Sequence, residues 1–80
     1  MGKHIRALRD KKDLSQEQLA KTAWISQQYL SGIETGKKNP TGDVLLNLAL
    51  ALGTTPSAIW IELEKELLPF YEEIKRKKKE

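Results

Sequence analysis

Cysteine is absent from these 80 residues, and histidine occurs once, at His4. Disulfide staples and thiolate metal sites are therefore excluded, and a lone imidazole, read here as an exposed helix residue, is too few ligands for zinc. No metal and no cofactor is expected. A chain without cysteine also suits a cytoplasmic protein. Long apolar runs are missing too: the longest apolar-rich stretch, Val44 to Gly53, is about half of what a bilayer span needs. The opening "MGKHIRALRDKK" lacks the apolar centre of a secretory signal, and Arg6 stands where a myristoylation signal has Ser or Thr. Alternating apolar and polar residues, the mark of half-buried strands, are not seen. What remains is one small all-helical domain of limited core.

Net charge is +3, and its distribution says more than its size. Residues 1–40 hold eight Lys/Arg against four Asp/Glu, whereas residues 41–74 hold one Lys against six acids. Residues 75–80 add five bases and Glu80. The sign asymmetry points the N-terminal half towards a polyanion. The plainer alternative is a solvated face with a basic tail. That tail, Lys75 to Lys79, either adds non-specific phosphate attraction or is a solvated chain end.

Helix signals follow one another along the chain. Ile5 and Leu8 give an amphipathic first helix over about Gly2–Lys12. Ser15 and Gln18 have capping-box spacing and start a second helix that ends near Ala23. Ser26 caps a third, Gln27 to about Thr35, with Ile25 and Leu30 placed as a hydrophobic staple and Gly36 as its stop. "KKNPTGD" reads as a loop, with Thr41 capping a fourth helix over Gly42–Leu52 that Gly53 ends. Thr55-Pro56 opens a fifth. Pro69 either kinks that helix or starts a sixth segment. Residues 1–62 form the domain in this reading, and residues 63–80 a C-terminal helical extension.

The second and third helices carry the functional signal. Both are short, and only Trp24 and Ile25 separate Ala23 from the cap Ser26, which suits a helix-turn-helix. The outward residues of the third helix are Gln27, Gln28, Ser31 and Gly32, with Tyr29 beside them. A generic solvent face would carry Lys and Glu. Glutamine instead offers a donor and an acceptor together, which matches adenine in the major groove.

The motifs "LSQEQLA", "ISQQYLSGIETGKKNP" and "LLNLALALGTTPSAI" resemble the Cro and lambda-repressor-type helix-turn-helix regulators, the Xre family, over about residues 5–61. The resemblance implies a compact five-helix DNA-binding domain that acts as a dimer on an operator. Carried over by residue, Gln27, Gln28, Ser31 and Gly32 face base edges. Gln16, Ser26, Tyr29, Lys37, Lys38 and Asn39 meet the DNA backbone, which sets register rather than sequence. Leu14, Leu19, Ala20, Ile25, Leu30, Ile33, Leu45, Leu48, Ala49 and Leu52 form the core.

Two positions depart from the family. Trp24 stands where the family usually has a turn glycine, so it adopts positive φ under strain or the turn has another geometry. Trp24 is expected to cover the end of the core, the other reading being an exposed aromatic near DNA or a partner. Leu50 replaces a commonly polar residue and forms an outward stripe with Leu46. Either the 60–74 segment folds back over this stripe or a partner does. Leu63, Leu67, Phe70, Tyr71 and Ile74 follow helical spacing along one face, and with Leu46 and Leu50 they are the expected dimer interface.

No enzyme is expected. The Glu pairs at 62–66 and 72–73 fall on helix positions facing water, and Ser15, Ser26 and Ser57 read as cap or first-turn residues. The expectation is a sequence-specific transcriptional regulator, a homodimeric repressor of phage, mobile-element or restriction-modification controller type on double-stranded DNA. The alternative is an antitoxin or interaction module that holds a toxin or other protein through its C-terminal helix. No membrane partner is expected.

Overall fold

The computed structural model describes residues 1–78, apart from the side chains of Tyr71 and Lys78. Tyr71 as an interface residue, and Lys78, Lys79 and Glu80 of the basic tail, therefore lie outside the described side chains. Five helices follow in order: α1 Gly2–Lys11, α2 Gln16–Thr22, α3 Gln27–Glu34, α4 Gly42–Ala51 and α5 Pro56–Lys78.

Each helix from α2 onward starts where a hydroxyl can take up an orphan amide. Ser15 Oγ accepts from the Gln18 amide at 3.0 Å while the Gln18 side chain accepts from the Ser15 amide at 2.9 Å, a complete capping box. Ser26, Thr41 and Thr55 accept from the amides of Tyr29, Val44 and Ala58. The first four helices end alike. After each, one residue takes the left-handed conformation, and the next amide reaches back to a carbonyl of the last turn: Leu14 to Arg9, Ile25 to Ala20, Lys37 to Gly32 and Thr54 to Ala49. Two of the left-handed residues are Gly36 and Gly53; the other two are Asp13, with φ 55°, and Trp24, with φ 63°.

α3 packs on α2 and α1, α4 on α2, and α5 on α4 and α1. The core lies between them and includes Ile5, Leu19, Leu30, Ile33, Leu48 and Ile59, each essentially inaccessible. Leu14 and Ile25, expected inside, pack at the margin and stay half-buried, because each follows a helix end and only one side of it meets the core. His4, expected exposed, is half-buried on α1.

α5 differs most from expectation. Pro69 does not start a sixth segment: it lies inside one continuous helix of 23 residues. Proline removes an amide and crowds the carbonyl four residues earlier, here that of Lys65. Pro69 and Lys65 are both exposed, so water can take the freed carbonyl. At 1.5 Å per residue α5 is about 34 Å long, and the molecule measures 49 × 21 × 20 Å. The outer half of α5 therefore projects, and it does not fold back over Leu46 and Leu50, which remain exposed. The ammonium group of Met1 ties its near half to α1, 2.9 Å from Glu66 Oε2. That contact holds the Glu66 carboxyl below the usual range. No single helix among the described residues is long and apolar enough to cross a membrane, and α4 and Pro56–Phe70 meet at 111°.

Candidate nucleic-acid interface

α3 is held from behind. Leu30 and Ile33 enter the core, and half-buried Ile25 precedes the cap in the staple position. The third inward residue is charged. Glu34 is buried and accepts from Arg9 Nε at 2.8 Å and Arg9 Nη2 at 3.1 Å, a bidentate pair, while Gln16 Nε2 donates to it at 3.1 Å. Arg9 Nη1 also donates to the Leu14 carbonyl at 2.8 Å. The hydrogen bonds to Glu34 raise the Arg9 pKa above its ordinary value against the opposing cost of burial. One carboxylate thus joins α1, α2 and the end of α3. Sequence reasoning passed over this residue, although a signal existed. An acid in the last turn of a helix opposes the macrodipole, so its presence asks for a cation, and Arg9 is in the last turn of α1.

With that side fixed, the opposite side of α3 is presented outward. Gln27 and Gln28 are exposed, and Ser31 is half-buried beside them. Gly32 completes the face one turn after Gln28, but it is covered. A Cβ built on Gly32 would lie 2.6 Å from Lys38 Cγ and 3.3 Å from Lys38 Cβ. The glycine therefore makes room for the returning loop rather than opening the helix backbone to a ligand.

The residues expected at the DNA backbone surround this face in different states. Lys37, Lys38 and Asn39 are exposed in the loop after α3. Ser26 accepts the Tyr29 amide, which leaves its hydroxyl proton free to donate. The Tyr29 hydroxyl donates to the Asn39 carbonyl at 3.2 Å, so half-buried Tyr29 braces the loop. The side chain of Gln16 is engaged with Glu34 rather than free.

Trp24 does not cover the end of the core: it is 88% exposed. In a left-handed residue the side chain leaves the helix end outward, and Ala23 and Ile25 already close the core on either side. Its indole borders a shallow cleft with Thr22, Asn47, Leu50 and Ala51. Asn47 Nδ2 donates to the Ala23 carbonyl at 3.4 Å and so fastens α4 to the turn. Of the expected dimer residues, Leu46, Leu50, Leu67, Phe70 and Ile74 are exposed and Leu63 is half-buried. The structure groups Leu50 with Trp24, and α5 contributes nothing to that cleft.

Comparison with known proteins accords with this geometry. A family model described as helix-turn-helix matches residues 5–59. An uncharacterised HTH-type transcriptional regulator of Sinorhizobium fredii is 44% identical over 55 residues, 69% of this chain and 71% of that protein. The immunity repressor protein of Bacillus phage phi105 is 42% identical over 59 residues, 74% of this chain, which spans only 41% of the repressor's length. Among solved structures, the restriction-modification controller protein C.AhdI of Aeromonas hydrophila superposes with a TM-score of 0.68 at 39% identity, covering 70% of this chain and 85% of the controller.

Proposed function

This chain belongs to the Xre-type helix-turn-helix family, and from that premise we propose that it is a sequence-specific regulator of transcription that binds double-stranded DNA as a homodimer. The observation that carries this reading is the division of α3. Leu30, Ile33 and Glu34 lock one side, and the capped N-terminal turn leaves Gln27 and Gln28 exposed on a fixed helix backbone. Glutamine amides can pair with adenine N6 and N7, and a helix held from behind sets the register from which they reach the bases. Ser31 lies within reach of the same groove. Gln16, Ser26, Tyr29, Lys37 and Asn39 serve the sugar-phosphate backbone, with Gln16 exchanging or sharing its bond to Glu34.

The homodimer rests on α5. Leu63, Leu67, Phe70 and Ile74 recur at intervals of four, three and four residues, the spacing of a helix–helix seam. On the projecting part of the helix Leu67, Phe70 and Ile74 are exposed, without cover from the other described residues. A two-fold dimer would present its two α3 helices to half-sites about 34 Å apart. Repression by occlusion of a promoter, in a phage, mobile-element or restriction-modification setting, fits a small binding domain in the cytoplasm; no catalytic step is assigned to it.

Selection of bound sites from random DNA tests the reading. A pseudo-palindromic consensus is expected, with affinity that falls steeply with salt. Gln28→Ala should relax the preference at one base pair of each half-site, whereas Lys37→Ala should weaken all sequences alike and lower the salt slope by about 1. Purified protein that shows no sequence preference at low salt would end the proposal. One observation favours a second reading, a protein-interaction module. Trp24 and Leu50 form an exposed apolar patch beside the turn. Under that reading Trp24→Ala abolishes partner binding, and DNA is ignored.

A further inference from the structure

We propose that Lys38, from the loop after α3, reads a base edge in place of the side chain that Gly32 lacks; this inference rests on the DNA-binding reading of α3. Gly32 lies four residues after Gln28, so the two share a face of the helix. At Gly32 the volume of a side chain is not empty. The three atoms nearest to an added Cβ are Lys38 Cγ, Cβ and Cδ, at 2.6, 3.3 and 4.0 Å. The stem of Lys38 thus fills the space that a residue at 32 would fill.

The backbone imposes this placement. The amides of Lys37 and Lys38 both donate to the Gly32 carbonyl, at 2.9 and 3.0 Å. Gly36, at φ 82°, makes the reversal that brings them there. The Tyr29 hydroxyl holds the next carbonyl, that of Asn39. The loop is therefore stapled along the Gly32 and Tyr29 edge of α3, and the Cβ of Lys38 is fixed close to the helix. The side chain of Lys38 thus starts over the helix face that Gly32 shares with Gln28, and Lys38 is exposed. Among the described residues no carboxylate lies within ion-pair distance of its ammonium group.

The chemistry of the target follows. An ammonium group donates and cannot accept, and in the major groove the strongest acceptor pair is guanine O6 and N7. Lys38 is assigned to a guanine beside the base that Gln28 contacts. The assignment also explains why a helix on which recognition depends carries glycine, which costs about 1 kcal/mol relative to alanine. Lys37 makes the same backbone bond but places no atom of its own among the three nearest to that vacancy.

The test is an affinity panel. Wild type, Lys37→Ala, Lys38→Ala, Gly32→Ala and the Gly32→Ala/Lys38→Ala double variant are each titrated against the selected consensus and its single-base-pair variants. Lys38→Ala should lose roughly 5- to 150-fold of preference for G·C at one position per half-site and keep its other preferences. Gly32→Ala should displace the lysine stem and lose preference at that same position, and the double variant should lose little more. Its helix is expected to be at least as stable, so a melting curve separates displacement from unfolding. An even loss across all sequences with Lys38→Ala, as for Lys37→Ala, overturns the inference while leaving the regulator reading intact. So does an undiminished preference at that position in folded Gly32→Ala. A wild-type protein with no consensus removes both.

Discussion

Leu48 and Phe70 each stand on the apolar face of a helix, yet Leu48 is fully buried and Phe70 is 62% exposed. The same contrast separates the first four helices with the root of α5 from the outer half of α5. In the first region the main apolar face of each helix finds another helix of the same chain, and the Leu46–Leu50 stripe of α4 is the exception. In the second, an apolar face of equal regularity runs past the end of the bundle. Amphipathic spacing therefore says that a face will be covered and leaves open by what. In the bundle the cover is intramolecular. On α5 it is the proposed partner protomer. The two regions are held by different means as well: the bundle has a buried ion pair, and the outer half of α5 shows, among the described residues, an exposed pair, Lys77 with Glu73 at 3.8 Å.

Breaking the buried pair should have the largest effect. Glu34→Ala removes the partner of Arg9 Nε and Nη2, leaving the 11% accessible side chain only the Leu14 carbonyl and exposed Asp10 at Nη1, and is expected to cost about 3 kcal/mol. Thermal unfolding followed by circular dichroism should show a midpoint lower by roughly 10–20 °C. A shift of only a degree or two would mean that α3 is not held by this pair. Next comes the opposite region. Phe70→Asp should weaken the dimer by about 100-fold, which is roughly 2.7 kcal/mol, and leave the melting of the dilute monomer nearly unchanged. Sedimentation equilibrium measures it. Wild-type protein that stays monomeric at high micromolar concentration would remove the α5 interface altogether.

A smaller effect, of the opposite sign, is expected at the turn. Trp24→Gly relieves a non-glycine residue at φ 63° and should raise stability by about 1 kcal/mol, read from the denaturant midpoint; Gly36→Ala should lower it by a similar amount. Destabilisation by Trp24→Gly would show that the exposed indole packs after all. The least effect is expected from Glu66→Gln, which removes the exposed link between α5 and the Met1 ammonium. Because that contact depresses the Glu66 pKa, its contribution is present above the ordinary carboxylate range of about 4.3. It is lost as pH falls through the lower folded value. Wild type and variant should therefore converge in acid.

Much of this architecture is written locally. Ser15 with Gln18, Ser26, Thr41 and Thr55 announce four helix starts, and each cap forms as its spacing requires. Gly36 and Gly53 announce two stops. Other features escape local reading for physical reasons. Asp13 and Trp24 make the same stop as glycine, because packing of the flanking helices imposes a left-handed residue whatever its side chain. Pro69 looks like a break and is not one: it lies exposed inside α5, where water can satisfy the carbonyl it frees. Gly32 looks like an open point on α3, and a lysine six residues later fills it.

The sequence by itself determined an all-helical domain, the order and caps of its helices, and the glutamines of α3 as the outward pair. These follow from interactions within three or four residues, which spacing encodes directly. Tertiary structure alone decided that Glu34 is buried against Arg9, that Lys38 lies over Gly32, and that Trp24 and the outer face of α5 are uncovered. Each of these depends on which surfaces meet after the chain has turned back on itself, and no local spacing records that.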